Sequence, residues 1–396
     1  MMQRITATAL LAEGEWTRIR NPSLCQDATA SLRVVETLGA VMQEEENGLL
    51  IKGGMHPTAH KLFCGESGLC LRMFSAIAAL WHEEIVLSAE GSLCNRPVDM
   101  VEKPLRELGA FCKTHYGFPP IRVKGPLKGG KIVVDASVSS QFLTGLLLAL
   151  PMIDNDTILK VGNLKSRPYL AMTLKLLKDL GIDVRTEDYE VFAIRGNQRY
   201  IIGEYTVEGD WSGASFLLVA AALTGGVTVY GLDPDSLQAD RKVLDVLSKV
   251  GARVEIREGA VEVETKKLNA FRYDATDSPD LFPPLVALAC HCAGTSIIKG
   301  VERMVHKESN RASVLEKELS KLGIRIVRRK DSLEIKGGPV LGGEINAHND
   351  HRIAMAAAVA ALKAEGCVTI TDAQCVTKSY PRFFEDLALL GGDINE

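Results

Sequence analysis

Two kinds of apolar segment alternate along the chain. The first is apolar on nearly every side: "QRITATALLAEG", "ESGLCLRMFSAIAAL", "SSQFLTGLLLALP", "DWSGASFLLVAAALTGG", "DSPDLFPPLVALACHCAG" and "DHRIAMAAAVAALKAEG". Ala, Leu and Val all the way round predict helices buried in a core. The second kind carries Lys, Glu and Asp on one face and closes near a Gly, as in "VVETLGA", "PVDMVEKPLRELGA", "PYLAMTLKLLKDLGI", "KVLDVLSKVGA", "ASVLEKELSKLGI" and "PRFFEDLALLGG". These predict amphipathic helices with one face toward solvent. Short β-branched runs between the two kinds predict strands.

The order of polar turn, buried helix, strand, amphipathic helix and strand recurs six times, starting near Gln3, Glu66, Ser139, Asp210, Asp277 and Asp350. A spacing of roughly 70 residues is too long for a thin solenoid repeat and suits a compact βαβαββ module. Six modules divide as three plus three, and "RGNQRYIIGEY" puts the break near Gly203-Glu204-Tyr205. The expected architecture is α/β, with two similar domains over residues 1–204 and 205–396, inner helices wrapped by sheets, and a cleft between the domains.

Composition narrows the function class. The chain has 396 residues, 46% hydrophobic and 24% charged, with a net charge of −4. No global basic field invites nucleic acid, so any anion site must come from local clusters of Lys and Arg. No run approaches the roughly eighteen apolar residues of a membrane helix, and no basic flank and apolar run open the sequence; a cytoplasmic protein is expected. Nine cysteines without paired CxxC motifs favour reduced thiols. Cys290-His291-Cys292 looks metal-like, but positions i and i+2 of an apolar helix do not face each other, which favours core packing.

Polar residues gather where the inner helices begin: Gly68 in "GESGLCLR", Ser139, Ser140 and Gln141 in "SVSSQ", Asp280 in "DSPD", His351 and Arg352 in "NDHR". Helix N-termini favour phosphate and carboxylate, although each Ser or Asp also serves as an ordinary cap. A second group sits in loops entering the outer helices: Arg96 in "CNRP", Ser166 in "KSRPY", Lys307, Glu308 and Arg311 in "HKESNR", and Lys378 in "VTKSYP". Pro97 and Pro168 suit a first helical turn, which places the neighbouring cations beside a helix start. Cations there oppose the helix dipole, and an anionic ligand would reverse that penalty.

Taken in order, "GESGLCLR", "SVSSQFLTGLLL", "LKSRPY", "VEGDWSGASFLLVAAAL", "HKESNR", "NDHRIAMA" and "VTKSYPRFF" closely resemble the enolpyruvyl-shikimate-phosphate (EPSP) synthase family, in register from about Gln3 to near the C-terminus. The resemblance implies an inside-out α/β fold of two domains, each of three βαβαββ repeats with buried parallel helices. It implies transfer of the enolpyruvyl group of phosphoenolpyruvate to the 5-hydroxyl of 3-phosphoshikimate, with no metal or organic cofactor. The partners it implies are these two small molecules, with no nucleic acid and no membrane, and a monomer is expected. Glyphosate, which occupies the phosphoenolpyruvate site in the family, is an expected inhibitor.

By motif position, the resemblance assigns Gly68, Arg96, Gln141, Arg311, Arg352 and Lys378 to phosphoenolpyruvate. It assigns Arg4, Ser139, Ser140, Gln141, Ser166, Asp280, Arg303 and Lys307 to 3-phosphoshikimate. Arg suits such anions because its planar fork holds carboxylate and phosphate with two prongs. Asp280 matches the base for the 5-hydroxyl and Glu308 a carboxylate that moves a proton at the methylene carbon; the two proton transfers call for two differently tuned groups. Glu66 and Arg303 depart from the family, standing where many or some members carry Asn. The family's opening strand and Ser-Lys-Ser turn would end just before Met1, so "MMQRITATALLAEGE" reads as a first inner helix without its cap. An upstream start is one expectation, and imperfect folding at that edge with poor catalysis by the chain as given is another. The rival readings are an impaired or inactive binding relative and the enolpyruvyl transferase that acts on UDP-N-acetylglucosamine.

Overall fold

A computed structural model describes residues 1–137 and 139–395, which form two compact units, Met1–Val207 and Glu208–Glu396. Twelve helices occur among the described residues. Unit 1 holds α1 (Met2–Leu11), α2 (Gln26–Thr37), α3 (Gly68–Ala78), α4 (Glu102–Glu107), α5 (Gln141–Ala149) and α6 (Arg167–Asp179). Unit 2 holds α7 (Trp211–Thr224), α8 (Val243–Val250), α9 (Phe282–Cys290), α10 (Arg311–Ser320), α11 (His351–Ala361) and α12 (Phe383–Leu389).

The segments that are apolar on all sides are the buried ones. In unit 1, α1, α3 and α5 lie in the core, with α3 packed on both of the others; in unit 2, α7, α9 and α11 pack on one another. The approach of α3 to α5 depends on Gly145, where a Cβ would lie 2.3 Å from the Met73 carbonyl oxygen. Each inner helix except α1 and α7 connects two neighbouring parallel strands. Lys61–Phe63 pairs with Ile85–Ser88 around α3, Gly130–Asp135 with Thr157–Gly162 around α5, Arg272–Asp274 with Thr295–Lys299 around α9, and Val340–Asn346 with Ala364–Thr371 around α11. Parallel neighbours need such a crossover, and a helix apolar on every side can be buried beneath the sheet that it joins. The strand Glu204–Thr206 runs parallel to Trp16–Arg20 and completes the first sheet of unit 1.

Prolines move two helix starts. "PVDMVEKPLRELGA" is not one helix: Arg96 is extended, Pro97 lies between two short 3-10 turns, and α4 starts only at Glu102. A residue before proline is pushed toward extended backbone, so Pro97 ends a loop and does not open the helix. Pro168 is the second residue of α6, as its sequence position predicts. In "DSPDLFPPLVALACHCAG" the turn Pro279–Leu281 precedes α9, whose first turn takes Pro283 and Pro284 where no intrahelical N–H is needed. Cys290 and Cys292 are buried in the core of unit 2, and the Cys292 thiol donates to the Leu288 carbonyl. Burial pushes both thiols up to about 12.

One buried carboxylate fixes the turn that leads into α11. Glu318, 1% exposed, accepts from Lys321 Nζ at 2.5 Å and from the Asn346 backbone N–H at 2.9 Å, and lies 3.2 Å from His348 Nε2. Burial opposes its charge, but the bonds from Lys321, Asn346 and His348 prevail and hold its carboxyl down at about 2. A depressed carboxylate contributes stability that is present above its unfolded value, near 4.3, and lost as pH falls toward 2. Glu318→Gln should therefore cost about 2–3 kcal/mol at pH 7 and almost nothing at pH 2, as read by denaturant unfolding at both pH values.

Candidate active site

In unit 1 a buried arginine ties three helix-entry loops together. Ser67 caps α3 by accepting from the Cys70 N–H, and Gly68 is the first helical residue. One turn on, Arg72 reaches back: Nη1 donates to Gln141 Oε1 at 2.8 Å and Nη2 to the Pro97 carbonyl at 2.9 Å. Arg72 thus joins the start of α3 to the start of α5 and to the loop that carries Arg96. A Cβ on Gly68 would stand 3.0 Å from Arg72 Nη1 and 3.2 Å from Arg96 Nη2. Two guanidinium groups therefore lie over the one residue in the helix that has no side chain to keep them away.

Beside it, Ser139 Oγ accepts from the Gln141 N–H at 3.2 Å, and the buried Ser140 precedes α5. Arg4 of α1 is also buried; Nε donates to Thr173 Oγ1 at 3.0 Å and Nη2 to the Tyr169 carbonyl at 3.2 Å, both on α6. Ser166, immediately before α6, is buried with a left-handed backbone at φ 61°. Glu66 accepts from the Ser92 N–H at 3.0 Å and fills the space where Gly91 has no Cβ.

Unit 2 gathers charges more densely. Arg311 opens α10 and is 1% exposed. Its Nε donates to Asp350 at 2.9 Å, Nη1 to Asp280 at 3.0 Å and Nη2 to Glu308 at 2.6 Å. A cation at a helix start opposes the dipole, and three carboxylates offset it. Asp350, fully buried, caps α11 through the Arg352 N–H and also accepts from Ser309 Oγ at 2.9 Å. Around Asp280 stand Arg311, Arg352 at 3.4 Å and Lys307 at 3.5 Å, while Lys378 lies 3.9 Å from Glu308. Burial alone would raise the Asp280 carboxyl; Arg352, then Lys307 and Arg311, outweigh it and hold the group far below the usual carboxylate range. Burial takes the His351 imidazole down to about 3, so it is neutral at pH 7. Arg303 sits in the turn Val301–Met304 ahead of this cluster.

The structure thus brings Gly68, Arg96 and Gln141 together in one unit and Asp280, Lys307, Glu308, Arg311, Arg352 and Lys378 together in the other. Two central groups were not singled out from sequence, Arg72 and Asp350. Arg72 had a signal, a lone charge in the otherwise apolar run "GLCLRMFSAIA". Asp350 had none beyond that of any helix cap. Chemically, the clusters supply guanidinium and ammonium groups for anions, with carboxylates set among them for proton transfer. No group of three or more His, Cys, Asp or Glu placed to hold a metal ion occurs among the described residues.

Comparison with known proteins covers the whole chain. The family described as EPSP synthase (3-phosphoshikimate 1-carboxyvinyltransferase) matches residues 1–387. A 3-phosphoshikimate 1-carboxyvinyltransferase of Clostridium kluyveri is 38% identical over 382 residues, 96% of this chain and 90% of the relative. Another, from Methanocella arvoryzae, is 40% identical over 397 residues, 98% and 94% of the two chains. An EPSP synthase structure from Acinetobacter baumannii superposes with a TM-score of 0.82 at 26% identity, covering 99% of this chain and 93% of that one.

Proposed function

Because the chain belongs to the EPSP synthase family, with its two-domain inside-out α/β fold, it transfers the enolpyruvyl group of phosphoenolpyruvate to the 5-hydroxyl of 3-phosphoshikimate, and we propose which residues do so. Phosphoenolpyruvate takes its ligands from Gly68, Arg96, Gln141, Arg311, Arg352 and Lys378. Arg4, Ser139, Ser140, Gln141, Ser166, Arg303 and Lys307 hold 3-phosphoshikimate, with Asp280 at its 5-hydroxyl. The observation that carries this reading is the ring of Arg311, Arg352 and Lys307 around Asp280, which sets a base among anion-binding cations. The reaction exchanges an alkoxide for phosphate at one carbon and is redox-neutral; it demands anion binding and two proton transfers.

Asp280 removes the proton of the 5-hydroxyl, and Glu308 serves the methylene carbon. Three cations make Asp280 a weak base in the unliganded protein. Substrate phosphate and carboxylate, once bound to those cations, draw their field away and raise its proton affinity, so the base strengthens when both substrates are in place. Nothing in the fold or the comparisons favours an impaired relative or a UDP-sugar transferase. We also take the units as the two enolpyruvyl-transferase-like domains and the chain as a cytoplasmic monomer. Each unit has an apolar core of its own, which supports the two-domain reading. No helix among the described residues is long and apolar enough to cross a membrane.

Two substitutions test the division of ligands. Gly68→Ala puts a methyl group against the Arg72 and Arg96 guanidinium groups. It should raise KM for phosphoenolpyruvate about tenfold or more and leave KM for 3-phosphoshikimate within about twofold. Ser166→Ala removes one hydroxyl from the 3-phosphoshikimate set and should do the reverse, by about five- to tenfold. Steady-state kinetics with each substrate varied in turn reads both; the same substrate affected by both variants would overturn the division.

A further inference from the structure

Helix α6 turns Leu170, Leu176 and Leu177 to the core of unit 1, and among them it buries Thr173 completely. A hydroxyl placed between leucines needs partners of its own, because one buried without a hydrogen bond is costly. The first partner is local: Thr173 Oγ1 donates to the Tyr169 carbonyl, four residues back, at 3.1 Å. A back-bond of this kind is the common resource of a threonine inside a helix. It leaves two further contacts of Thr173 to be explained.

Both come from other helices. Arg4 of α1 donates Nε to Thr173 Oγ1 at 3.0 Å, and Thr144 of α5 brings its own Oγ1 to 3.3 Å. A hydroxyl has one proton to give and two lone pairs with which to accept. The Thr173 proton goes to Tyr169, so Thr144 is the donor between the two hydroxyls, and Thr173 is saturated with one bond given and two accepted. Arg4, Thr144 and Thr173 are 5%, 1% and 0% exposed, which keeps water from competing for these bonds.

The three helices joined here are the ones that carry the 3-phosphoshikimate set. Arg4 lies on α1, Ser139 and Ser140 lead into α5 at Gln141, and Ser166 leads into α6. The lead-in residues are tied to the same junction: the Thr144 N–H donates to the Ser140 carbonyl at 3.2 Å, and the Tyr169 N–H to the Ser166 carbonyl at 3.2 Å. Arg4 Nη2 also donates to the Tyr169 carbonyl at 3.2 Å, so α6 holds the guanidinium at two points one helical turn apart. Two points fix the plane of the group, at the expense of two of its five N–H donors; a single point lets it swivel.

We propose that Thr173 is a positioning residue for 3-phosphoshikimate: its hydroxyl fixes the plane of Arg4 against the helices that carry the other ligands of that substrate. The proposal rests on the assignment of Arg4 to 3-phosphoshikimate. An anion held by several donors binds well only when each keeps its direction, to about 10–20°, and a long side chain keeps it only when other groups lock it. The Tyr169 carbonyl alone would hold the Arg4 head at Nη2 and leave it to turn about that bond. With the Thr173 hydroxyl on Nε the head has one orientation before the substrate arrives.

The test is KM for each substrate, with the other saturating, in Thr173→Val and Thr173→Ser. Val keeps the shape and removes the hydroxyl, so Arg4 Nε and the Thr144 proton both lose their acceptor. It should raise KM for 3-phosphoshikimate about tenfold or more and leave KM for phosphoenolpyruvate within about twofold. Ser restores the hydroxyl and should stay within about threefold of wild type for both substrates. An unchanged KM for 3-phosphoshikimate in the Val variant would overturn the proposal, as would equal rises for the two substrates, which is what a general loosening of unit 1 predicts. Arg4→Met separates the two levels. If it leaves KM for 3-phosphoshikimate unchanged, the assignment of Arg4 fails and takes the proposal with it. If it raises KM about a hundredfold, Thr173→Val placed on top of it should add less than about twofold, because the hydroxyl acts through the guanidinium; a further full tenfold would leave Arg4 in place and remove Thr173 from its positioning. Should Thr173→Val not fold, Thr173→Cys, whose sulfur accepts hydrogen bonds weakly, is read in the same way.

Discussion

Asp280→Asn should lower kcat by about a hundredfold to ten-thousandfold and leave both substrates bound as tightly as before, or more tightly. The two halves of this result come from one geometry. As the base for the 5-hydroxyl, the carboxylate contributes what a positioned proton acceptor contributes, and an amide cannot replace it. As a counter-ion it also competes with the substrates, since Arg311 at 3.0 Å, Arg352 at 3.4 Å and Lys307 at 3.5 Å all spend charge on it. Neutralising it frees three cations for phosphate and carboxylate. A purely structural role predicts loss of both binding and turnover, so measuring KM for each substrate alongside kcat separates the two accounts. Wild-type turnover in the variant would remove Asp280 from the mechanism.

Arg311→Met should be the most damaging single change to unit 2. The side chain is 1% exposed and bonded to three carboxylates, of which Asp350 is itself fully buried. Removing the cation strands that negative charge in a dry site, and breaking a buried pair in this way costs about 3–5 kcal/mol. Denaturant unfolding should record that loss, and kcat/KM for phosphoenolpyruvate should fall further than stability alone explains. Arg311→Lys keeps the charge but has no fork to reach Asp350, Asp280 and Glu308 together, so it should recover part of the stability and little of the activity. Equal activity in Lys and Arg forms would contradict the role given to the guanidinium plane.

How much of this was legible depends on the range of each interaction. The inner helices and the six-fold repeat are written in local patterns, and α7 follows "DWSGASFLLVAAAL" from its Asp210 cap to its Gly225 end. Helix α4 was misread because Pro97 looks like a helix opener in isolation, whereas here it keeps Arg96 extended. The charge clusters were harder. Arg311 meets Asp350 across 39 residues of sequence and Arg72 meets Gln141 across 69, so no spacing rule could join them. Motif resemblance pointed to the cations and to two of their counter-ions, Asp280 and Glu308, but not to Asp350, the third carboxylate on Arg311, nor to Arg72. Asp350 looked like a cap and is one, but it is also the group that anchors Arg311.

Enolpyruvyl transfer from phosphoenolpyruvate to 3-phosphoshikimate has a fixed stoichiometry. Purified protein given phosphoenolpyruvate and 3-phosphoshikimate should release one phosphate for each 5-enolpyruvylshikimate 3-phosphate formed, both followed by phosphorus NMR in one tube. Phosphate release without that product, or product only when a UDP-sugar replaces 3-phosphoshikimate, would contradict it.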